Sequence, residues 1–143
     1  LLHAMQFRAF MPLLEKYQDF DTSPANESVE MVKARLIQPT TDYYLIYADN
    51  QPVGGIRIRK KDEGHYRVGP VFIVPEHQGR GVAQSAFAMV EAKYSDAVLW
   101  ELDTILQGHG NCYLYEKLGY HQTGERQEIN PRMTIVFYEK SVD

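Results

Sequence analysis

The segment that most constrains the fold is a short apolar run followed by a glycine-containing polar loop and then by an amphipathic helix. Val71-Phe72-Ile73-Val74 is apolar at every position, which is typical of a central strand that is buried on both faces. Pro75 ends this strand, and the loop after it contains Gly79 and Gly81. The residues from Val82 to Tyr94 carry apolar side chains at helical spacing, which predicts a helix. A strand that leads directly into a helix indicates an α/β fold.

The rest of the chain also alternates between helical and strand patterns. The predicted helices are Leu1–Tyr17, a segment from Ser28 that ends before Pro39, Val82–Tyr94 and Asn111–Leu118, and the predicted strands are Tyr43–Ala48, Val53–Lys60, His65–Val74, Ala97–Leu102, His121–Arg126 and Met133–Lys140. The order α-α-β-β-β-α-β-α-β-β predicts a mixed α+β sheet with helices on both faces.

Two local patterns in the strands carry further expectations. Ile56 and Ile58 alternate with Arg57 and Arg59, which predicts a half-exposed strand with its arginines on the solvent face. Gly69-Pro70 interrupts the third strand and predicts a bulge or splay there, because proline cannot donate to a ladder.

Composition narrows the class of protein. The chain has 143 residues, 44% of them hydrophobic and 24% charged, so a single globular domain over residues 1–143 is expected. The only cysteine is Cys112, which leaves no internal disulfide. No apolar run approaches the roughly 20 residues of a membrane helix, and no secretory signal is evident, so a cytoplasmic protein is predicted. A net charge of −4 without a basic patch argues against nucleic acid as a partner.

The loop has the properties of a phosphate-binding site. The first N–H groups of a helix lack internal partners and carry partial positive charge, so they bind anions when nothing bulky covers them. Gly81 and Ala83 leave that space clear, and Gln78 or Arg80 can add a donor from the rim.

Two familiar phosphate loops fit the segment poorly. A P-loop requires glycine and lysine followed by serine or threonine, and neither glycine here precedes a lysine. A dinucleotide loop requires a third glycine where Gln84 stands, and its first glycine should lie tight against the strand. Here four residues separate Val74 from Gly79. One feature does fit, since Glu101 lies about 20 residues after the loop, where an acid that binds the ribose is expected.

A third pattern, (Gln/Arg)-x-x-Gly-x-(Gly/Ala), is met completely by Gln78, Gly81 and Ala83. This segment resembles the coenzyme A pyrophosphate loop of the GNAT superfamily of N-acetyltransferases. Leu114-Tyr115-Glu116-Lys117-Leu118-Gly119-Tyr120 resembles a second motif of that superfamily, and the two motifs stand in the expected order with a strand between them. The resemblance covers roughly Tyr43–Lys140. It implies a GNAT-like single domain with a splayed, mostly antiparallel sheet, from which the family's first strand is missing at the start of this chain.

The resemblance also implies a cofactor site and a catalytic acid. In the family, the tyrosine that matches Tyr115 often protonates the leaving CoA thiolate, which predicts Tyr115 as general acid. The family often has an asparagine seven residues earlier, where this chain has Gly108. Asn111 either contacts the cofactor from a shifted position or begins the helix as its N-cap. The residues expected to bind acetyl-CoA are Phe72, Ile73, Val74, Gln78, Gly79, Arg80, Gly81, Val82, Ala83, Gln84, Asn111 and Tyr115.

The base and the acceptor site are less defined by the resemblance. The family's general base varies. The candidates here are His65 and Glu101, and the alternative for each is an ordinary solvated residue at the protein surface. The acceptor of the family usually lies between the first two helices and the splayed strands, where acids would attract an amine. The residues in that part of the chain are Phe7, Phe10, Glu15, Asp19, Phe20, Asp21, Glu27 and Glu30.

Other chemistry has weaker support. Cys112 with His109 or His121 could form a nucleophilic pair, although a lone cysteine beside apolar positions is more often buried and inert. His77, His109 and His121 share no metal-ligand spacing, so no metal is predicted.

The sequence therefore predicts an acetyl-CoA-dependent N-acetyltransferase that acts on a primary amine of a small molecule or peptide by direct attack. The alternative is a non-catalytic acyl-CoA-binding sensor or scaffold. A homodimer is one candidate assembly, and neither nucleic acid nor a membrane is expected as a partner.

Overall fold

A computed structural model describes residues 1–17 and 23–142 of the chain. The predicted order of helices and strands is confirmed. The helices are α1 (Leu2–Tyr17), α2 (Val29–Leu36), α3 (Val82–Lys93) and α4 (His109–Lys117), and the strands are β1 (Thr41–Ala48), β2 (Gln51–Asp62), β3 (His65–Ile73), β4 (Leu99–Ile105), β5 (His121–Asn130) and β6 (Met133–Ser141). None of the helices in the described ranges is long and apolar enough to cross a membrane.

The six strands form one sheet in the order β1-β2-β3-β4-β6-β5. Every neighbouring pair is antiparallel except β3 and β4, which run parallel. The predicted mixed, mostly antiparallel sheet is therefore confirmed. A parallel pair needs a crossover connection, and α3 provides it between β3 and β4.

The sheet splits between its two central strands. Residues His65–Arg67 of β3 pair with Leu99–Glu101 of β4, and the register ends there. Directly beyond, Gly69-Pro70 forms a bulge opposite Arg57 of β2, because Ile56 pairs with Val71 while Ile58 pairs with Val68. The predicted bulge or splay at Gly69-Pro70 is confirmed. A wedge opens between β3 and β4 toward their carboxyl ends, where ligands of α/β sheets bind.

The two adjacent tyrosines of β1 identify the two faces of the sheet. The Tyr43 hydroxyl donates to Oε1 of Gln6 in α1 at 3.1 Å, whereas the Tyr44 hydroxyl lies 2.8 Å from that of Tyr94 at the end of α3. Successive side chains of a strand point to opposite faces. Helices α1 and α3 therefore cover opposite faces, as predicted.

Some sequence predictions were wrong in detail. The predicted strands leave residues 49–52 between them, but the turn after β1 is shorter, since only Asp49 and Asn50 form it, with φ of 52° and 65° as a two-residue hairpin requires. Strand β4 continues past Leu102 to Ile105 because β6 pairs with it along that length. The expected solvent face of β2 was also wrong for Arg57, which is buried beneath Gln38 and Thr41.

Candidate active site

The loop between β3 and α3 leaves the start of the helix uncovered. Gly81 is the N-cap of α3 with a φ of 77°, and Gly79 has a φ of 73°, a left-handed conformation that favours glycine. A Cβ atom added at either glycine would meet no atom of the described residues within 4 Å. Because the N-cap has no side chain, no side-chain hydrogen bond covers the first amides of α3. These amides can therefore bind an anion that approaches the helix end.

Two side-chain contacts hold this loop in place. Gln78 Nε2 donates to the carbonyl of Ile73 at 2.9 Å, which ties the loop to the end of β3. Arg8 of α1 donates to both carboxylate oxygens of Glu76 at 2.6 and 2.7 Å. Of the two predicted rim donors, Gln78 is thus engaged within the protein, whereas Arg80 is exposed beside the loop.

A cleft of about 680 Å³ begins at this loop and runs between α1, the end of β3 and α4. We call it the cofactor cleft. The predicted cofactor residues that line it are Phe72, Ile73, Gln78, Gly79, Gly81, Val82, Ala83, Gln84, Asn111 and Tyr115. Val74 does not line it, because this residue is buried and its N–H donates to the carbonyl of Val53 at 2.8 Å. Arg80 does not line it either.

A second cavity of about 480 Å³ fills the wedge between β3 and β4, and we call it the acceptor cavity. Its wall combines apolar side chains with charged ones. The apolar residues that matter below are Phe10, Leu13, Ile135 and Phe137, and the charged ones are Glu27, Arg35, Arg57, Arg67 and Asp103. Phe10, Leu13, Val71, Asn111 and Tyr115 line both the acceptor cavity and the cofactor cleft. The two spaces are therefore adjacent.

Tyr115 lies on the wall that the two spaces share. It projects from α4 into an aromatic cluster, with ring centroids 5.7 Å from Phe87, 6.2 Å from Tyr120 and 6.1 Å from Tyr138. Burial, with smaller contributions from the nearby Asp103 and Cys112, raises the pKa of Tyr115 above the ordinary value for tyrosine. The phenol is therefore protonated at neutral pH and has a proton to donate.

Asn111 also lies on this shared wall. Helix α4 begins at His109, and Gly108 occupies the N-cap position without a side-chain hydrogen bond. The interpretation of Asn111 as an N-cap is therefore wrong. Its position beside both spaces agrees with the alternative, a contact with the cofactor.

His65 and Glu101, the predicted bases, lie together but line neither space. Glu101 accepts hydrogen bonds from Lys61 at 2.6 Å, His65 at 2.8 Å and Arg67 at 3.2 Å. Burial opposes ionisation of Glu101, but these three donors outweigh it and lower its pKa to about 2. A carboxylate with so low a pKa is a weak base. Glu101 instead pairs with Lys61, His65 and Arg67, and we call these four residues the ion-pair hub.

A carboxylate that was not predicted from the sequence lies two residues further along β4. Asp103 lines the acceptor cavity and pairs with Arg67, which also contacts Glu101. Although 38% of its side-chain surface is exposed, the partial burial of the carboxylate raises the pKa of Asp103, with Arg67 opposing the change. The i, i+2 spacing of Glu101 and Asp103 could have identified it, had the strand been predicted beyond Leu102.

The predicted acceptor residues divide into three groups. Phe10 and Glu27 line the acceptor cavity. Phe7, Glu15 and Glu30 line neither space. Asp19, Phe20 and Asp21 lie outside the described residues.

Two further candidates, Cys112 and His121, lie beside other groups of the protein. The Cys112 thiol is buried and lies 3.5 Å from the carbonyl of Ile105 and 3.8 Å from that of Leu106. His121 lies beside Glu139, with 3.7 Å between Nε2 and the carboxylate. Within residues 1–17 and 23–142, no group of three or more His, Cys, Asp or Glu side chains is placed to bind a metal ion.

Comparison with known proteins points to one family. A family model described as "Acetyltransferase (GNAT) family" matches residues 8–120. The uncharacterized Bacillus subtilis (strain 168) protein YrkN is 29% identical over 125 residues, which are 85% of this chain and 67% of that protein.

Solved structures share the fold. An acetyltransferase from Thermus thermophilus superposes with a TM-score of 0.74 at 13% identity, over 98% of this chain and 90% of that one. A GNAT family acetyltransferase from Elizabethkingia anophelis, with acetyl-CoA bound, has a TM-score of 0.64 at 17% identity, over 80% of this chain and 84% of that one.

Proposed function

Because the chain belongs to the acetyltransferase (GNAT) family, we propose that it transfers an acetyl group from acetyl-CoA to a primary amine of a small molecule or peptide. The observation that carries this proposal is the position of Tyr115, which lies on the wall common to the cofactor cleft and the acceptor cavity. A group at that junction can reach atoms of both reactants. We further propose that residues 1–143 act as one domain.

The cofactor cleft suits the pyrophosphate and pantetheine parts of coenzyme A. The uncapped amides at the start of α3 provide donors for the pyrophosphate, and the open positions at Gly79 and Gly81 leave room for it. Phe72, Ile73 and Asn111 line the same cleft as Tyr115. Acetyl-CoA, when bound, supplies the acetyl group as a thioester.

Two residues of the chain would handle the protons of the transfer. The amine nitrogen forms a bond to the acetyl carbon while the carbon–sulfur bond breaks, so one proton leaves nitrogen and one is taken up by sulfur. Tyr115 donates the proton to the sulfur, for which its raised pKa keeps it protonated. Asp103 takes the proton from the amine, because it is a carboxylate of the acceptor cavity and lies close enough to Tyr115 to raise the pKa of that phenol. His65 and Glu101 are not assigned this role, since they line neither space.

Direct attack by the amine agrees with the surroundings of Cys112. Its thiol faces backbone carbonyls and lines neither space, so it is badly placed to accept an acetyl group. A covalent acetyl-enzyme route would need such a nucleophile beside a base.

Incubation of the chain with acetyl-CoA and a library of primary amines tests the proposal, with acetylated products identified by mass spectrometry. We expect at least one amine to gain an acetyl group in step with release of free CoA thiol. Binding of CoA in calorimetry without product from any amine would favour the sensor or scaffold instead. Failure to bind CoA would contradict both functions.

A further inference from the structure

Arg57 is a buried cation in the wall of the acceptor cavity. Only 8% of its surface is exposed, and its Nη2 donates to Oε1 of Gln38 at 2.8 Å and to Oγ1 of Thr41 at 3.3 Å. Both of these acceptors are neutral. Its Nε is buried without a hydrogen-bond partner among the described residues. No ion pair joins Arg57 to a carboxylate of the described residues.

The other arginines of the cavity wall are neutralised. Arg35 pairs with Glu27, and Arg67 pairs with Glu101 and Asp103. Burial and the neighbouring Arg35 and Arg59 lower the pKa of Arg57, against smaller opposing effects of Tyr43 and of Glu27, the carboxylate already paired with Arg35. A guanidinium nevertheless stays charged in proteins, so Arg57 remains a cation.

A buried charge without a counter-charge is costly for a folded protein, and so is a buried N–H without an acceptor. A ligand that supplies both a negative charge and a hydrogen-bond acceptor would remove these costs. A guanidinium presents its donors as a planar fork that matches the two oxygens of a carboxylate.

We therefore propose, on the basis of the proposed function, that the acceptor is an amine that also carries a carboxylate, and that Arg57 binds this carboxylate. The charges of the cavity are arranged for such a molecule. Arg57 lies on β2, whereas Asp103 lies on β4 beside the splayed β3. Strand β3 lies between them, so β2 and β4 are two strand spacings, about 10 Å, apart, and Arg57 and Asp103 both line the acceptor cavity. The ammonium end thereby lies toward Asp103 and Tyr115.

The apolar part of the cavity indicates the chemical character of the acceptor between its two charged ends. Phe10 and Leu13 of α1 and Ile135 and Phe137 of β6 all line the space. These side chains favour an apolar body between the two charged ends. The acceptor class is therefore an amino acid or a short amino-acid derivative with an apolar side chain.

Matched acceptors test the carboxylate directly. Leucine and phenylalanine would each be compared with their amides and with the amines that lack the carboxyl group, with kcat/KM measured from CoA release. We expect the carboxylate form to be favoured by about 10- to 100-fold, the range of a hydrogen bond between charged groups. Equal or higher kcat/KM for the amides would overturn the inference.

Arg57 variants assign that preference to one residue. In Arg57→Gln the ratio of acid to amide should fall toward one, and in Arg57→Lys it should fall partly, because lysine keeps the charge but not the fork. Arg59→Gln is the matched control, since Arg59 stands on the same strand and lines neither space. Circular dichroism checks that each variant is folded. A ratio that Arg57→Gln leaves at the wild-type value would contradict the assignment.

A binding measurement separates this inference from the proposed function. Thermal melts with CoA and free leucine or phenylalanine should show stabilisation by the amino acid in the wild type and none in Arg57→Gln. If no amine is acetylated but this Arg57-dependent stabilisation is present, the transferase proposal fails and the carboxylate site stands. If the amino acids give no stabilisation and no product, the carboxylate site fails.

Discussion

The two sides of the active site are built from different parts of the polypeptide. The loop end of the cofactor cleft depends on backbone: two glycines with positive φ and the uncapped start of α3, all within residues 79–84. The acceptor side depends on side chains from α1, β2, β3, β4 and β6 that come together only in the folded sheet. A backbone site occupies one short stretch of sequence, whereas a side-chain site is scattered along the chain and is set by topology.

The cofactor side and the acceptor side should also differ in how they respond to pH and to substitutions. Backbone amides do not titrate and are unchanged by most substitutions, so the cofactor side should tolerate wide changes in pH. The acceptor side is a network of arginines and carboxylates, in which each charge affects the pKa of the next. Variants of each side, in order of decreasing effect, test this contrast.

Replacement of Tyr115, which lies on the wall shared by the two spaces, should have the largest effect on activity. Tyr115→Phe removes the proton donor and should lower kcat by about 100-fold or more, the usual contribution of a general acid, while the Kd for CoA changes by less than about 3-fold. Steady-state kinetics and calorimetry measure the two quantities. Tyr120→Phe is the control, because Tyr120 lies in the same aromatic cluster and lines neither space. Wild-type turnover in Tyr115→Phe would remove the general acid from the mechanism.

On the acceptor side, Asp103→Asn should lower kcat/KM by about 10- to 100-fold. Because the base acts only when ionised, wild-type kcat/KM should fall as the pH drops through the raised pKa of Asp103. That acidic limb should be absent from the residual activity of the variant. A pH profile with one fixed amine measures both. An acidic limb that persists in Asp103→Asn would assign the titration to another group.

On the cofactor side, Gly81→Val should weaken CoA binding by about 10-fold, because the left-handed conformation costs a residue with a side chain about 1–2 kcal/mol. Gly124→Val is a matched control, since Gly124 of β5 also has a positive φ, of 97°, and lies outside both spaces. Calorimetry with CoA compares the two. Equal losses in both variants would mean that general destabilisation, rather than the loop, accounts for the effect.

The smallest effect on activity is expected at the ion-pair hub. Glu101→Gln should change kcat by less than about 3-fold but lower stability at neutral pH by about 1–3 kcal/mol. The folded-state pKa of Glu101, about 2, lies below its unfolded value, so its contribution is present above about pH 4.5 and is lost as the pH falls toward 2. Thermal melts across this range should show the gap between variant and wild type closing. A gap that is constant with pH would contradict the role of the ionised carboxylate.

The sequence was informative wherever a feature depends on neighbouring residues. Gly79 and Gly81, the bulge at Gly69-Pro70 and the order of elements are all local, and the structure agrees with each prediction of them. Arg57 was expected at the surface because its strand alternates, and nothing in that strand indicates that Gln38 and Thr41 cover it.

Asp103 was missed for a related reason. Its strand was predicted to end at Leu102, whereas pairing with β6 extends it to Ile105. The partner strand lies about 30 residues further on, so the extension depends on a long-range contact that periodicity does not report. Most of the acceptor side therefore required the three-dimensional structure.

The division of the sheet has a mechanical consequence. Only three residue pairs join β3 to β4, and they are backed by Tyr66, Tyr94 and Trp100, whose ring centroids lie 4.9 to 5.8 Å apart. The two half-sheets thus meet along this short paired region, which we call the spine. A small rotation about that spine changes the width at the closed end least and at the open end most. Such a rotation would change the width of the acceptor cavity while the packing at the spine stays intact.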